Sequence, residues 1–168
     1  MSVKVQHPAP DFSLQSHTEK TVTLTGLKGK WVVLFFYPLD FTFVCPTEVV
    51  EFSKRYNEFR EKNTEVLGCS IDSIYVHKAW AESLGGLNYQ LLSDMHKDVG
   101  RRYGVLIEDK GFHLRGTFVI DPEGITRWIN INDTGVGRSV DEVLRVVTAL
   151  QTGKLTACDW KPGQKTLN

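Results

Sequence analysis

The sequence has no excess of charge of either sign: 20 Lys and Arg balance 20 Asp and Glu over 168 residues, a formal net charge of zero. That balance gives no support to a nucleic-acid partner or to an anionic membrane surface, which a basic face would announce. Long apolar runs are also missing. The longest, residues 31–37, falls far short of the ~20 residues needed to cross a bilayer, so no membrane partner is expected. The stretch Met1-Ser2-Val3-Lys4-Val5-Gln6-His7 lacks the apolar core of a secretory signal, and a cytoplasmic, reducing location is expected. Cysteine is scarce: Cys45, Cys69 and Cys158 are the only three. An odd count argues against a disulfide framework. No two lie at the spacing of a zinc knuckle or of a Cys-x-x-Cys redox pair. No metal, flavin or nucleotide site is visible, so no cofactor is expected and electrons would have to arrive through thiols.

What is present describes a globular α/β chain. Apolar residues make up 41% and charged residues 24%, enough to build a core and too apolar for disorder. The length suits a single domain spanning 1–168, with 154–168 as a polar, loosely held C-terminal tail. A short hairpin is expected over 12–14 and 21–24. Trp31-Val32-Val33-Leu34-Phe35-Phe36 reads as a strand covered on both faces. Helical spacing follows from Pro46 through Val49, Phe52, Tyr56 and Phe59, with Pro46 tolerated in the first turn because its missing N–H costs nothing there. A strand over 65–71, a helix capped by Ser73 and ended by Gly85-Gly86, a short strand at Leu91-Leu92 and a helix over 95–103 complete a β-α-β half. Two antiparallel strands around the Asp121-Pro122-Glu123-Gly124 turn come next, then a last helix capped by Ser139. This order describes a thioredoxin-like fold with an N-terminal β-hairpin.

Cys45 stands where the first long strand hands over to a helix. The unpaired N–H groups of a first helical turn and the helix dipole both favour negative charge there. A free cysteine titrates near ~8.5, and a helix N-terminus with a cation beside it can bring this to roughly 3.5–7.5. Cys45 is therefore read as a reactive nucleophile. Pro38 and Pro46 stiffen the loop on either side, Thr42 can place a hydroxyl near the sulfur, and Glu48 in the first turn can orient a cation.

The segment Pro38-Leu39-Asp40-Phe41-Thr42-Phe43-Val44-Cys45-Pro46 resembles the Pro-x-x-x-Thr-x-x-Cys signature of peroxiredoxins. The wider block from Phe35 to Glu48 is similar to the typical two-cysteine branch, of the alkyl hydroperoxide reductase C type. The resemblance runs from Ala9-Pro10-Asp11-Phe12 to Trp160-Lys161-Pro162-Gly163. It implies that Cys45 is the peroxidatic cysteine of a thiol peroxidase and becomes a sulfenic acid. Arg115, in His113-Leu114-Arg115-Gly116-Thr117, matches the family's active-site arginine, which with Thr42 binds the peroxide. Pro38 would shield the sulfur, Glu48 would position Arg115, and Arg138 matches a second arginine of the substrate pocket.

In that branch a tail cysteine from the partner subunit resolves the sulfenic acid to an intersubunit disulfide, so Cys158 is read as the resolving cysteine. Ala157-Cys158-Asp159-Trp160 departs from the family pattern: the proline after the cysteine is absent and the spacing to the tryptophan is shorter. A one-cysteine peroxiredoxin served by an external thiol is the alternative reading, with a holdase chaperone as a secondary role. Partners implied by the resemblance are peroxides, a thioredoxin or a flavoprotein disulfide reductase, and a second copy of the chain, as a dimer or decamer. Cys69, inside a strand, is read as core packing.

Overall fold

The computed structural model describes residues 3–168 and falls into two compact units, one ending at Arg138 and one running from Ser139 to Asn168. In the first, a five-stranded sheet is built from β3 (Trp31–Phe36), β4 (Thr64–Ser70), β5 (Gln90–Ser93), β8 (Arg115–Ile120) and β9 (Thr126–Asn132), in the order β5-β4-β3-β8-β9. The hairpin β1 (Ser13–Gln15) and β2 (Thr21–Thr23) precedes it, and β6 (Leu106–Ile107) with β7 (Phe112–His113) forms a second small ribbon. β3 pairs parallel to β4 and β4 parallel to β5, whereas β8 runs antiparallel to β3. No helix among the described residues is long and apolar enough to cross a membrane.

Strand alternation divides β3 between two faces. Val32, Leu34 and Phe36 join Leu67, Cys69, Phe118 and Ile120 in one apolar cluster, closed by Val99 of α4 (Asp98–Arg102) and by Tyr103, which follows it. The intervening side chains serve the other face. Phe35 stacks on Phe52 of α1 (Cys45–Lys54), with ring centroids 4.4 Å apart, and Tyr37 lies against Trp80 of α3 (Ile74–Ser83). Because β3 is covered on both faces, its residues read as one continuous apolar run.

Helix boundaries follow local chemistry. The helical spacing from Pro46 to Phe59 is real but interrupted: α1 ends at Lys54, and α2 (Tyr56–Arg60) restarts after Arg55. Ser73 accepts from the Val76 N–H and caps α3 as expected. The helix expected over 95–103 is shorter, because residues 95–97 turn before it and Lys97 holds the N-cap position. The Asp94 carboxylate accepts from the N–H groups of Val99 and Gly100, and Lys97 takes a left-handed φ of 64° just before the first turn. Gly104 ends α4 at φ 72°, a conformation open to glycine without a Cβ penalty.

The second unit holds α5 (Val140–Gln151), capped by the Ser139 hydroxyl, which accepts from Glu142 N–H. The tail expected to be loose carries ordered turns. Trp160 is buried, its indole N–H donates to the Gln164 carbonyl, and its own carbonyl accepts from Arg145 of α5. Leu167 N–H returns to the Leu155 carbonyl. Cys158 itself is exposed.

The Phe35–Phe52 stack is the packing that seats α1 on the sheet. Phe52→Ala is expected to cost about 3–5 kcal/mol of unfolding free energy, read as a lower urea midpoint with an unchanged slope. A loss under ~1 kcal/mol would mean that α1 is held by something else.

Candidate active site

The sheet topology brings the site together. β3 ends where the loop to α1 begins, at the carboxyl edge of the parallel strands, where α/β folds place their ligands. β8 runs the other way, with Phe35 opposite Thr117. The same register continued sets the amino end of β8, Arg115 and Gly116, level with Tyr37 and Phe36. A residue 70 positions away in sequence therefore lies beside the first turn of α1.

Cys45 is the first residue of α1 and is fully buried. Val44 occupies the cap position with helical φ and ψ and caps no N–H with its side chain. The Arg115 Nη1 donates to Cys45 Sγ at 3.3 Å and to the Glu48 carboxylate at 2.5 Å, while its Nε donates to the Thr134 carbonyl at 2.8 Å. Two anchors thus fix the guanidinium plane. Its Nη2 has no hydrogen-bond partner among the described residues.

Arg138 is placed differently from the expectation that it lines the substrate pocket. Its side chain is 2% exposed, and all five of its N–H donors meet protein acceptors. Nε donates to Glu48 Oε2; Nη1 donates to the Gly116 carbonyl at 3.0 Å and to Thr117 Oγ1 at 3.1 Å; Nη2 donates to the Phe36 carbonyl at 2.6 Å and to Glu48 Oε1 at 3.4 Å. The guanidinium also lies over the Phe35 ring, 5.0 Å from its centroid. No donor is left for a substrate. Burial pushes the Arg138 pKa below its ordinary value; Glu48 draws it back up and Arg115 adds to the lowering.

Glu48 is therefore shared. Oε1 accepts from Arg115, and Oε2 accepts from both the side chain and the backbone N–H of Arg138. With its carboxylate ionised and both guanidiniums charged, the group sums to one positive charge beside a thiol and to zero beside a thiolate.

Thr42, half-buried in the loop, donates its hydroxyl to the Leu39 carbonyl at 2.8 Å rather than to the sulfur. Its oxygen keeps its lone pairs for accepting. Pro38 is buried at the end of β3. Cys158 belongs to the second unit and is exposed.

Reading the sequence missed the network that holds the loop. Tyr37 donates its hydroxyl to Asp40 Oδ1 at 2.7 Å, and His77 Nδ1 meets Asp40 Oδ2 at 2.6 Å. His77 Nε2 lies 2.9 Å from the Leu92 carbonyl, which can only accept, so this nitrogen carries a hydrogen. The Asp40 N–H donates to Asp72, whose carboxylate also accepts from Ser70. Burial raises the Asp40 pKa, with the His77 bond and charge opposing it, and burial together with the Asp40 charge pushes the Tyr37 hydroxyl well above its usual range. One residue on, Phe41 takes φ 55°, a left-handed conformation that is costly for a bulky side chain. The only signal in the sequence was that Tyr37 and Asp40 flank the proline of the motif.

The model of the AhpC/TSA family matches residues 5–129. The chain is 49% identical over 174 residues to the mitochondrial thioredoxin-dependent peroxide reductase of Drosophila melanogaster, covering 96% of this chain and 74% of that protein. It is 48% identical to the thioredoxin peroxidase of Trypanosoma brucei rhodesiense, covering 98% of this chain and 89% of that one. The crystal structure of the reduced 2-Cys peroxiredoxin of Plasmodium vivax superposes with a TM-score of 0.90 at 38% identity, over 96% of this chain and 91% of that one. With a thiol at the start of α1 under an arginine held by a buried carboxylate, and with these relatives along nearly its whole length, the chain belongs to the AhpC/TSA family and is a peroxiredoxin, a thiol-dependent peroxidase.

Proposed function

We propose that Cys45 reduces hydrogen peroxide and organic hydroperoxides, and that Cys158 of the partner subunit resolves the product. The observation that carries the first half is the division of labour within Arg115: Nη1 is committed to Cys45 Sγ and Glu48, and Nη2 has no partner among the described residues. The thiolate is the nucleophile. It attacks one peroxide oxygen, the O–O bond breaks, and the departing oxygen takes the electron pair and a proton, leaving Cys45 sulfenic acid and water or an alcohol. Negative charge grows on the departing oxygen, and the free Nη2 donors of a fixed guanidinium are suited to meet it. Thr42, its hydrogen given to Leu39, accepts from the peroxide O–H. Glu48 and Arg138 act through Arg115 as positioning residues, and Pro38 keeps water from the sulfur.

The sulfenic acid forms inside the protein, since Cys45 is fully buried. For a second thiol to reach it, the first turn of α1 must open. That turn lacks a side-chain cap, whose presence would add roughly 1 kcal/mol to its closure. The exposed Cys158 of the partner subunit then displaces hydroxide, which leaves as water, and an intersubunit disulfide forms. We read 1–168 as one peroxiredoxin domain whose segment 154–168 carries the resolving thiol. A dithiol reductant of the thioredoxin type, or a flavoprotein reductase, returns both thiols. The names of the Drosophila and Trypanosoma relatives favour thioredoxin. Three free thiols suit a reducing compartment such as the cytoplasm.

Cys45→Ser is expected to abolish peroxide consumption. Arg115→Lys should lower kcat/KM by about 10²–10³, the usual loss for one aimed donor; a loss below ~3-fold would remove Arg115 from this role.

Cys158→Ser is expected to abolish the covalent dimer on non-reducing gels after peroxide, while leaving the first oxidation of Cys45 at its normal rate. A dimer band that persists in this variant rejects Cys158 as the resolving residue.

Glu48→Gln leaves two buried guanidiniums without their anion and should cost about 3–5 kcal/mol of stability. Its slower peroxide reaction should appear even where the variant remains folded by circular dichroism.

A further inference from the structure

On the sheet face opposite α1, three potential ligands converge inside the apolar core. Cys69 comes from β4, Asp94 from the end of β5 and His113 from β7, and all three are buried. One ligand atom from each lies within 4.8 Å of the others. Phe36, Tyr103 and Phe118 surround this region, and the His113 ring meets Phe36 edge-on at 5.2 Å.

The imidazole is the anomaly. Neither His113 Nδ1 nor Nε2 has a hydrogen-bond partner among the described residues, although the side chain is fully buried. Leaving a buried polar group unpaired is costly, and native proteins rarely do so. His113 Nε2 is 3.2 Å from Asp94 Oδ2, within ion-pair range but not aligned as a hydrogen bond. That separation suits another geometry. About 3.3 Å is the N···O edge of a tetrahedron whose bonds are ~2.0 Å, the length of zinc–imidazole and zinc–carboxylate bonds.

The backbone makes room for the ring. A Cβ on Gly100 would sit 2.2 Å from His113 Nε2, so only glycine fits at this point of α4. The Gly100 N–H donates to Asp94 Oδ2 at 2.8 Å and the Val99 N–H to Oδ1 at 3.2 Å, which orients the carboxylate as outer-shell donors orient metal ligands.

We propose that Cys69, Asp94 and His113 form a buried structural site for a thiophilic divalent cation, zinc by the chemistry of its donors. Thiolate, carboxylate and imidazole form a mixed S/O/N set suited to zinc, and water can complete four-coordination. Charge agrees: one thiolate and one carboxylate cancel a divalent ion, so the complex is neutral where the dielectric is low. Binding replaces the Cys69 S–H by a sulfur–metal bond and releases that proton to solvent, so uptake weakens as pH falls. Burial, with the Asp94 charge adding to it, pushes the thiol pKa well up, and the metal must overcome this. No pair of these ligands is close in sequence, which is why cysteine spacing gave no sign of a metal.

The test uses the full chain with Cys45→Ser and Cys158→Ser, which removes the other two thiols. After refolding with excess zinc and dialysis, elemental analysis should find about one zinc per chain. Cys69→Ala added to this background should lower it at least ~10-fold, and His113→Ala should do the same. Cobalt(II) loaded in place of zinc should show a sulfur-to-metal charge-transfer band in the near ultraviolet that Cys69→Ala removes. In the otherwise native chain, Cys69→Ala should leave peroxide turnover unchanged, which separates this site from the one at Cys45. Less than about a tenth of a zinc per chain before Cys69 is changed, or equal zinc with and without Cys69, overturns the proposal.

Discussion

One carboxylate organises the catalytic end of this molecule. Glu48 is buried in the first turn of α1 and accepts from two guanidiniums, each itself buried. Three charges in the interior are tolerable only if each finds its partners, and here they do. Removing Glu48 strands both guanidiniums, and that asymmetry constrains the site more than the net strength of the ion pairs, which can be near zero against an apolar replacement. Through Arg138 the same carboxylate is tied to the carbonyls of Phe36 and Gly116, one on β3 and one on β8. The helix that carries Cys45 is thereby registered against the sheet edge that carries Arg115. The geometry of the reacting pair follows from this tie.

The loop between β3 and α1 is held by a second, independent set of bonds. Asp40 gathers Tyr37 and His77, and its backbone reaches Asp72, so the chain is fixed just before Phe41; just after it, Thr42 donates to the Leu39 carbonyl. A left-handed phenylalanine persists only where neighbours over-determine it. The result is a braced loop before Cys45 and a bare helix start at Cys45, two properties that the proposed peroxide reduction and resolution would need in that order. A pocket must be preorganised to meet the peroxide, and the turn holding the product must then be able to open.

Much of this was legible in the sequence, for physical reasons that differ by element. β3 was read to the residue because a strand buried on both faces leaves an unbroken apolar run. Ser73 and Ser139 were read because capping needs a hydroxyl at one position. The short α4 was not, because Lys97 looks like an ordinary polar residue of a helix and nothing marks Asp94 as the acceptor of N–H groups five and six residues on. The tail was read as loose from its polarity, and polarity gave no sign of the buried tryptophan and the turn bonds it contains. Cys45, Thr42 and Arg115 were legible through a resemblance. The committed donors of Arg138 were not, since nothing in a sequence says how many N–H groups an arginine has left to offer.

Two of the buried polar clusters of the first unit, those around Glu48 and Asp94, obey one rule with opposite results. Around Glu48 the carboxylate and every N–H of Arg138 are paired, and the donors left over are those of Arg115 Nη2, which face the thiol site. Around Asp94 donors and acceptors do not match: the carboxylate accepts from backbone N–H groups, while neither nitrogen of the imidazole beside it has a hydrogen-bond partner among the described residues. Apolar packing offers no reason to keep a histidine there, because the glycine facing it gives up helix propensity of about 1 kcal/mol to admit the ring. A larger residue at 100 with a small apolar one at 113 would fill the same space and strand no polar atom. That the sequence holds the costlier pair, with a thiol and a carboxylate within ligand distance, is the physical argument that the imidazole is there to bind an ion.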